Sequence, residues 1–197
     1  MRGGRLMKKL EDKIVSDGRV LPGNILDVGS FLNQKIDTAL TLDMADDIAA
    51  EFSDCPVTRV LTIESSGIAI GFAVASRLGV PLVFAKKYRS ANVSGDVLTS
   101  KIHSYTHGND YTATVSSCHL SGDDCVLIVD DFLANGEALR GLVEIVRTSG
   151  AALAGCAVQI EKGFQHGGDR LRDEGVRVYS LANIESMSPE DGVRFRP

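Results

Sequence analysis

The chain has 197 residues, of which 44% are hydrophobic and 24% charged, a composition that fits one compact domain with a small appended subdomain. A formal charge of -5, the absence of Trp and the lack of any long Lys/Arg run argue against a nucleic-acid-binding surface, which needs clustered cations to neutralise phosphates. No apolar run is long enough to span a bilayer and no signal-peptide pattern opens the chain, so we expect a cytoplasmic protein with no membrane partner.

The N-terminal quarter of the chain predicts two helices around an irregular segment. Residues 1–6 (MRGGRL) precede a second Met, and we treat them as an extension outside the fold, either a start-site extension or an expression remnant. Apolar residues one helical turn apart predict a helix over Met7–Val15. Residues 19–37 mix short apolar pairs with Pro, Gly and Asn, which predicts a small irregular subdomain. A second helix is predicted from Thr41 until Cys55-Pro56 ends it.

Strand and helix patterns then alternate along the chain. The predicted strands are Val57–Ile63, Leu82–Ala85, Cys125–Val129, Ala154–Ile160 and Val176–Leu181. The predicted helices are Ile68–Leu78, Glu137–Thr148 and a short one near Asp169–Glu174. Gly79 and Gly150 follow the first two helices and are expected to end them. Repeated strand-helix-strand units predict an α/β fold, with a mostly parallel central sheet flanked by helices on both faces.

Residues of about 86–108 interrupt this alternation. They are rich in Ser, Thr, Asn, Gly and Lys, which predicts a flexible loop or lid over a functional site. In an open parallel sheet, ligands bind beyond the carboxyl ends of the strands, so the loops at those ends are expected to share one site. These loops follow Ile63, Ala85, Val129 and Ile160. Within the lid, His103 and His107 have the spacing of helical metal ligands, but their neighbours do not predict a helix, which argues against a zinc site.

The four cysteines are Cys55, Cys118, Cys125 and Cys156. They are widely spaced, form no CxxC pair, and in two cases lie in apolar runs that predict strands. Free Cys usually behaves as a small core residue. We therefore predict buried, reduced thiols rather than disulfides or a metal site.

The strongest chemical signal is VLIVDDFLANGEAL, residues 126–139. Asp130 and Asp131 follow four apolar residues, and two adjacent acids there need a cation or hydroxyl partner because like charges repel and burial disfavours charge. A tight loop is predicted from Phe132 to Gly136, and the helix beginning at Glu137 directs free amide donors at it, as in anion-binding sites. Acids for sugar hydroxyls and backbone amides for a phosphate predict a ribose-phosphate ligand. The alternative is that either acid only caps the turn.

This segment resembles the motif by which type I phosphoribosyltransferases bind 5-phosphoribosyl-1-pyrophosphate (PRPP). Together with NILDVGSFLNQKID, TIESSGI, LGVPLVFAKKYRS and QIEKGFQ, it resembles the xanthine phosphoribosyltransferase family over nearly the whole chain from Met7. The resemblance implies the type I phosphoribosyltransferase fold, with residues 7–197 as a single domain and about 19–37 as an N-terminal hood. It implies transfer of 5-phosphoribosyl from PRPP to xanthine, giving xanthosine 5'-monophosphate and pyrophosphate. It also implies a homodimer, and Mg²⁺ bound with PRPP or pyrophosphate rather than directly by the protein.

The resemblance further implies which residues form the site. Asp130 and Asp131 are expected to be catalytic, on the ribose hydroxyls. The PRPP 5-phosphate is expected on Ala134, Asn135, Gly136, Glu137 and Ala138. The base is expected near Leu26, Asn33 and Lys162, with Lys162 on an exocyclic oxygen, and Phe132 can stack on a flat purine. The structural alternatives for these four are core packing for Leu26 and Phe132, a helix cap for Asn33 and a surface cation for Lys162.

A second anion cradle is predicted between a strand and a helix, and it resembles the pyrophosphate loop of the family. Its residues are Glu64, Ser65, Ser66 and Gly67. Cations at the start of the lid, Lys86, Lys87 and Arg89, lie where they could neutralise pyrophosphate, with Lys87 the expected PRPP contact. Each cation taken singly is an ordinary surface charge.

Two other functions stay open at this point. The phosphate loop has Ala134 and Asn135 where the broader type I pattern commonly has Thr or Ser, and Phe132 replaces an aliphatic residue. Both departures agree with the xanthine branch of the family. The first alternative is an enzyme that uses hypoxanthine or guanine as the base. A non-enzymatic, PRPP-sensing purine regulator is the second alternative, against which stand the acidic charge and the few residues before the hood. No Walker A or GxGxxG motif occurs, so kinase and dehydrogenase interpretations lose their support.

Overall fold

A computed structural model describes residues 3–87, 96–104 and 109–196. Its centre is a six-stranded sheet in the order β10-β9-β8-β7-β3-β4. The strands are β3 (Arg59–Ile63), β4 (Leu82–Ala85), β7 (Cys125–Leu133), β8 (Ala152–Lys162), β9 (Val178–Ser188) and β10 (Gly192–Phe195). All neighbours in this sheet are parallel except β9 and β10, which are antiparallel. The predicted α/β fold with a mostly parallel central sheet is therefore confirmed.

Helices cover both faces of the sheet. The helices are α1 (Gly3–Asp17), α2 (Thr38–Glu51), α3 (Gly67–Leu78), α4 (Glu137–Ser149) and α5 (Gly167–Asp173). Along β7, Leu127 and Val129 pack into a core with residues of α1, α2 and α3, while Val126 and Ile128 pack into a second core with α4. This alternation explains why β7 reads as a continuous apolar run: both of its faces are buried.

Two helix ends follow the expected chemistry. The carboxylate of Asp37 accepts a hydrogen bond from the Leu40 amide (3.1 Å) and caps α2, which therefore begins three residues before the predicted start at Thr41. Gly79 and Gly150 end α3 and α4 in the left-handed conformation that glycine adopts without a steric penalty, as predicted.

The hood contains more regular structure than the sequence indicates. Strands β1 (Arg19–Leu21) and β2 (Ile25–Asp27) form a small antiparallel hairpin, and a π-helical turn follows at Gly29–Asn33. Three-residue strands are too short to show a clear period, which is why residues 19–37 carry no recognisable pattern. The N-terminal helix begins at Gly3, four residues before the predicted start at Met7. Leu6, Met7 and Lys8 are good helix formers, and each residue added to an existing helix gains a hydrogen bond. The interpretation of residues 1–6 as an extension stays a prediction.

The segment predicted as one irregular lid is in part a strand. Residues of β5 (Val97–Ser104) pair antiparallel with β6 (Asn109–Ser116), and an isolated bridge between Lys86 and Thr114 joins this hairpin to the end of β4. The hairpin lies against α4: a Cβ on Gly141 would come within 2.7 Å of the Ile102 side chain. Ser100 Oγ donates to Glu144 Oε2 (2.6 Å) at the same contact. The remaining lid residues, 88–95 and 105–108 with Arg89 and His107 among them, lie outside the described residues.

No helix of the described residues is long and apolar enough to cross a membrane. All four cysteines are free thiols. Cys156 is buried on β8, and burial followed by the charge of Asp130 raises the pKa of its thiol to about 12. Cys118 is exposed, so the prediction that the thiols are buried is wrong for this residue, which lies in a short 3-10 turn after β6 rather than in a strand of the central sheet.

Candidate active site

A cavity of about 260 Å³ lies at the carboxyl ends of β3, β4 and β7, under the β5-β6 hairpin. The predicted site residues that line it are Glu64, Ser66, Lys87, Asp130, Asp131, Phe132, Ala134, Asn135, Gly136, Glu137 and Ala138. Ser65 and Gly67 are in the same turn as Glu64 and Ser66. Three of the four loops expected to share a site therefore meet at this cavity, in agreement with the rule for open parallel sheets.

The two acids lie inside β7 rather than after it. This strand continues to Leu133, because Phe132 and Leu133 pair with Ile160 and Glu161 of β8. The pairing of β7 with β3 ends earlier, at Ile128. The prediction of a tight loop from Phe132 to Gly136 is thus wrong for its first two residues. The β3 edge of β7 is therefore unpaired with β3 at the acids, and the cavity occupies the space beside this unpaired edge.

Asp130 is the most strongly perturbed acid of the site. Only 5% of it is exposed, and burial, followed by the charge of Asp131, raises its pKa well above the ordinary value. The amide of Asp131 donates to Asp130 Oδ1 (3.0 Å), and the positive charge of Lys87 acts in the opposite direction on the pKa. Without a ligand, Asp130 therefore binds a proton more readily than an ordinary aspartate does.

We expect Asp130→Asn to raise the free energy of unfolding at pH 8 by about 1–3 kcal/mol, because asparagine keeps the shape and needs no buried charge. A protonated Asp130 contributes stability that is fully present below the pKa of the unfolded chain and is lost as pH rises through the raised, folded-state pKa. The gain from asparagine should therefore grow from acidic to alkaline pH. Urea unfolding followed by circular dichroism measures it, since the chain has no Trp. Asp123→Asn, at an exposed site before β7, is the control. If the free energy of unfolding depends on pH in the same way for wild type and Asp130→Asn, the raised pKa of Asp130 is contradicted.

The turn between β3 and α3 is held against Asp130 and Lys87. Its Glu64-Ser65 peptide bond is cis. Glu64 Oε1 accepts a hydrogen bond from the Lys87 amide (2.7 Å), which ties this turn to the residues after β4. A Cβ on Gly67 would lie 2.2 Å from Thr62 Oγ1 and 2.4 Å from Asp130 Oδ1. The first turn of α3 thus approaches the acid at a distance that only glycine permits.

The loop after β7 has the geometry of an anion cradle. Gly136 has a φ of 87°, the left-handed conformation, and α4 begins directly after it at Glu137. The first amides of a helix have no partner within the helix, and the helix dipole favours a negative charge at this end. Ala134, Asn135 and Ala138 also line the cavity, so the loop offers mainly backbone donors, as expected from its lack of Thr and Ser.

The structure places only one of the four residues expected around the base at the cavity itself. Phe132 lines the cavity, and Lys162 Nζ lies 5.5 Å from the centroid of its ring. Lys162 also donates to the carbonyl oxygen of Asn24 in the hood (2.8 Å), and burial lowers the pKa of its ammonium group. Leu26 is buried in the core cluster on which Phe132 packs, while Asn33 is exposed at the end of the π-helical turn. Leu26, Asn33 and Lys162 do not line the cavity that holds the acids.

Sequence reasoning did not single out Tyr111 and Ile102, which line the cavity, or Thr62, which lies beside the turn at Gly67. Tyr111 on β6 lines the cavity, with Lys87 Nζ 5.5 Å from its ring centroid, and burial followed by the charge of Asp130 raises the pKa of its phenol. Thr62 is buried, and its Oγ1 has no hydrogen-bond partner within residues 3–87, 96–104 and 109–196. Alternating apolar residues in NDYTATVS are the signal that could have identified β6. Thr62 has no comparable signal, since threonine is common in any strand.

Comparison with known proteins identifies the family of the chain. The phosphoribosyl transferase domain family matches residues 36–185. The xanthine phosphoribosyltransferase of Heliobacterium modesticaldum is 53% identical over 183 residues, covering 93% of this chain and 97% of the relative. That of Bifidobacterium adolescentis is 47% identical over 192 residues, covering 96% of this chain and 100% of the relative.

Solved structures share the fold. The APRTase of Giardia lamblia, complexed with 9-deazaadenine, has a TM-score of 0.75 at 25% identity and covers 88% of this chain and 97% of its own. The adenine phosphoribosyltransferase of Rhodothermus marinus has a TM-score of 0.72 at 22% identity and covers 91% and 99%. With family, relatives and fold in agreement, the chain belongs to the phosphoribosyltransferase family, among the xanthine phosphoribosyltransferases.

Proposed function

We infer that this chain is a xanthine phosphoribosyltransferase, which transfers the 5-phosphoribosyl group of PRPP to xanthine and gives xanthosine 5'-monophosphate and pyrophosphate. The observation that carries this inference is that Asp130 and Asp131 share one cavity with the backbone cradle of residues 134–138. Acids suited to ribose hydroxyls and amides suited to a phosphate therefore face the same cavity, as one bound sugar phosphate would require. The identity of about one half to the xanthine enzymes supports xanthine as the base.

The proposed roles of the residues follow from the charges of the reaction. A purine ring nitrogen forms a bond to C1 of the ribose as the bond from C1 to pyrophosphate breaks, so C1 gains positive charge in the transition state. Asp130 and Asp131 would hold the ribose hydroxyls and stabilise this charge, and no covalent nucleophile is needed. The pyrophosphate would lie on the turn from Glu64 to Gly67, near the ammonium group of Lys87. The half-buried position of Lys87 beside Asp130 supports this placement.

The proposed base pocket combines stacking with polar contacts. Phe132 would stack on the purine ring. Lys162, 5.5 Å from the Phe132 centroid, would donate to an exocyclic oxygen of xanthine, and Leu26 and Asn33 would complete the pocket from the hood. An ammonium group can donate to an oxygen but cannot accept from an amino group. Adenine, which has an amino group in place of that oxygen, would leave Lys162 unpaired, and such mismatches produce large specificity ratios.

Magnesium fits the donors of this site when the substrate supplies most of its ligands. Among the described residues no group of three or more His, Cys, Asp or Glu side chains could hold a metal ion, while Asp130 and Asp131 offer two neighbouring carboxylates. Mg²⁺ commonly binds through substrate phosphates, waters and one or two carboxylates. When bound with pyrophosphate, it neutralises the charge of the leaving group.

We also propose a homodimer in the cytoplasm. Phe72 on α3 is 66% exposed and Phe84 on the adjacent strand β4 is 41% exposed, and large exposed apolar side chains commonly mark protein contacts. The four free thiols fit a reducing compartment. Closure of a lid over the site stays a prediction for residues 88–95 and 105–108.

Incubation of the purified protein with PRPP, Mg²⁺ and each purine base tests the function. We expect nucleotide and pyrophosphate from xanthine, at least about tenfold lower kcat/KM for hypoxanthine and guanine, and no product from adenine. A preference for hypoxanthine or guanine would support that alternative instead. Absence of product with every base, together with a PRPP-dependent gel shift of DNA at moderate salt, would favour the regulator.

A further inference from the structure

A segment outside the cavity contacts the proposed phosphate loop, which comprises residues 134–138. It includes the first residues of α5, which follow β8 after a short 3-10 turn at Gly163–Gln165. A Cβ on Gly167 would lie 2.1 Å from the carbonyl oxygen of Ala134 and 2.6 Å from both the carbonyl carbon of Asn135 and the nitrogen of Gly136. The two backbones are thus in direct contact, and no side chain could separate them.

A charged hydrogen bond joins the same two segments. The guanidinium Nη2 of Arg170 donates to the carbonyl oxygen of Asn135 (2.7 Å). In a trans peptide the C=O and N–H groups point in opposite directions, and the bond between Asn135 and Gly136 is not among the cis bonds of the chain. By holding the carbonyl of Asn135, Arg170 therefore also orients the N–H of Gly136, which is directed away from the guanidinium group.

The helix that carries Arg170 is itself anchored to the central sheet. Arg172 makes two hydrogen bonds to the carboxylate of Glu161 on β8, at 2.9 and 2.7 Å. Glu161 is inaccessible to solvent and accepts a further hydrogen bond from the hydroxyl of Ser180 on β9. A bidentate ion pair whose carboxylate is buried and bonded a third time holds its geometry well. The start of α5 is consequently a fixed support for the loop.

We propose that Arg170 is a positioning residue for the 5-phosphate of PRPP. It does not line the cavity. It acts through the Asn135-Gly136 peptide, which it holds so that the amide of Gly136 is ready to donate to the phosphate before the substrate arrives. The proposal rests on the proposed function, because it names the support of that same phosphate site. Preorganised donors bind more tightly than donors that must first be ordered.

The probe is ribose 5-phosphate, which carries the phosphate and the hydroxyls but no pyrophosphate. Isothermal titration calorimetry should show that Arg170→Gln binds ribose 5-phosphate about tenfold more weakly than wild type, the loss typical of one charged hydrogen bond. In steady-state assays the KM for PRPP should rise about tenfold, while the KM for xanthine and kcat at saturating PRPP change less than about twofold. Arg170→Lys should recover part of the affinity, because lysine keeps a charged donor. Arg147→Gln, at the opposite end of α4 from the loop, is the control.

The outcomes separate this proposal from the proposed function. If wild type forms the nucleotide and binds ribose 5-phosphate, and Arg170→Gln binds it equally well, the positioning role is overturned while the enzyme assignment stands. If Arg170→Gln loses stability, xanthine affinity and ribose 5-phosphate affinity together, Arg170 has only a structural role. This result would also overturn the positioning role. Failure of wild type both to form a nucleotide with any base and to bind ribose 5-phosphate would overturn both.

Discussion

Replacing Asp131 by asparagine is expected to lower kcat by about 10²–10³-fold while the fold stays intact, the size of effect seen when one preorganised charge-stabilising group is removed. Asp131 is 7% exposed, lines the cavity and donates its own amide to Asp130. Asparagine keeps that backbone contact and the size of the side chain. It removes the negative charge that would face C1 of the ribose in the transition state. Product formation from PRPP and xanthine under saturating conditions measures the effect.

The matched control for this substitution is Asp123→Asn, an exposed acid two residues before β7, at the opposite end of this strand from the site. Its turnover should equal that of wild type. Far-ultraviolet circular dichroism should be unchanged in both variants, and Asp131→Asn should unfold at no lower temperature than wild type, because it removes the like charge beside Asp130. An Asp131→Asn protein that keeps more than about one tenth of wild-type turnover would show that its charge does not act in the transition state, and the role would pass to Asp130 alone.

Patterns that are local in the chain predicted most of this architecture. The boundaries of α3, β4 and α4 agree with the predictions to within one residue, because apolar periodicity and the final glycines of the helices are visible in short windows. The acids and the loop between β7 and α4 were also recognised from local sequence, since an apolar run followed by two acids is unusual. These features meet in one cavity because parallel strands bring their carboxyl ends to the same edge of the sheet.

Contacts between distant segments could not be predicted in this way. The β5-β6 hairpin was missed because β5 alternates weakly and its pairing with β6 is a contact between separate segments. Its packing on α4 involves Gly141, and a glycine gives no sign in the sequence of its partner Ile102. The contact of Gly167 with the phosphate loop joins residues that are about thirty positions apart. The length of β7 depends on its pairing with β8, which the residues of β7 alone do not encode.

Gly67→Ala is expected to lower kcat/KM about 10²-fold with both acids still present, because displacing a catalytic group by about 1 Å can cost that much. The added methyl group would lie 2.2 Å from Thr62 Oγ1 and 2.4 Å from Asp130 Oδ1. Contacts this short force one partner to move. Thr62 is completely buried, so the shift falls largely on the carboxylate of Asp130 and on the first turn of α3. Overpacking should also lower the free energy of unfolding by about 1–3 kcal/mol.

Gly122→Ala separates the loss of activity from a general effect of adding a methyl group. Gly122 lies before β7, and a Cβ there would have nothing closer than the carbonyl oxygen of Gly150 at 3.7 Å, so turnover and stability should both match wild type. The two activities must be compared at a temperature where Gly67→Ala is fully folded by circular dichroism. Wild-type kcat/KM in folded Gly67→Ala would mean that the site tolerates a displaced Asp130. The ribose hydroxyls would then have to be held by Asp131 without Asp130. Such a result would contradict the importance that the close packing of α3 on Asp130 suggests.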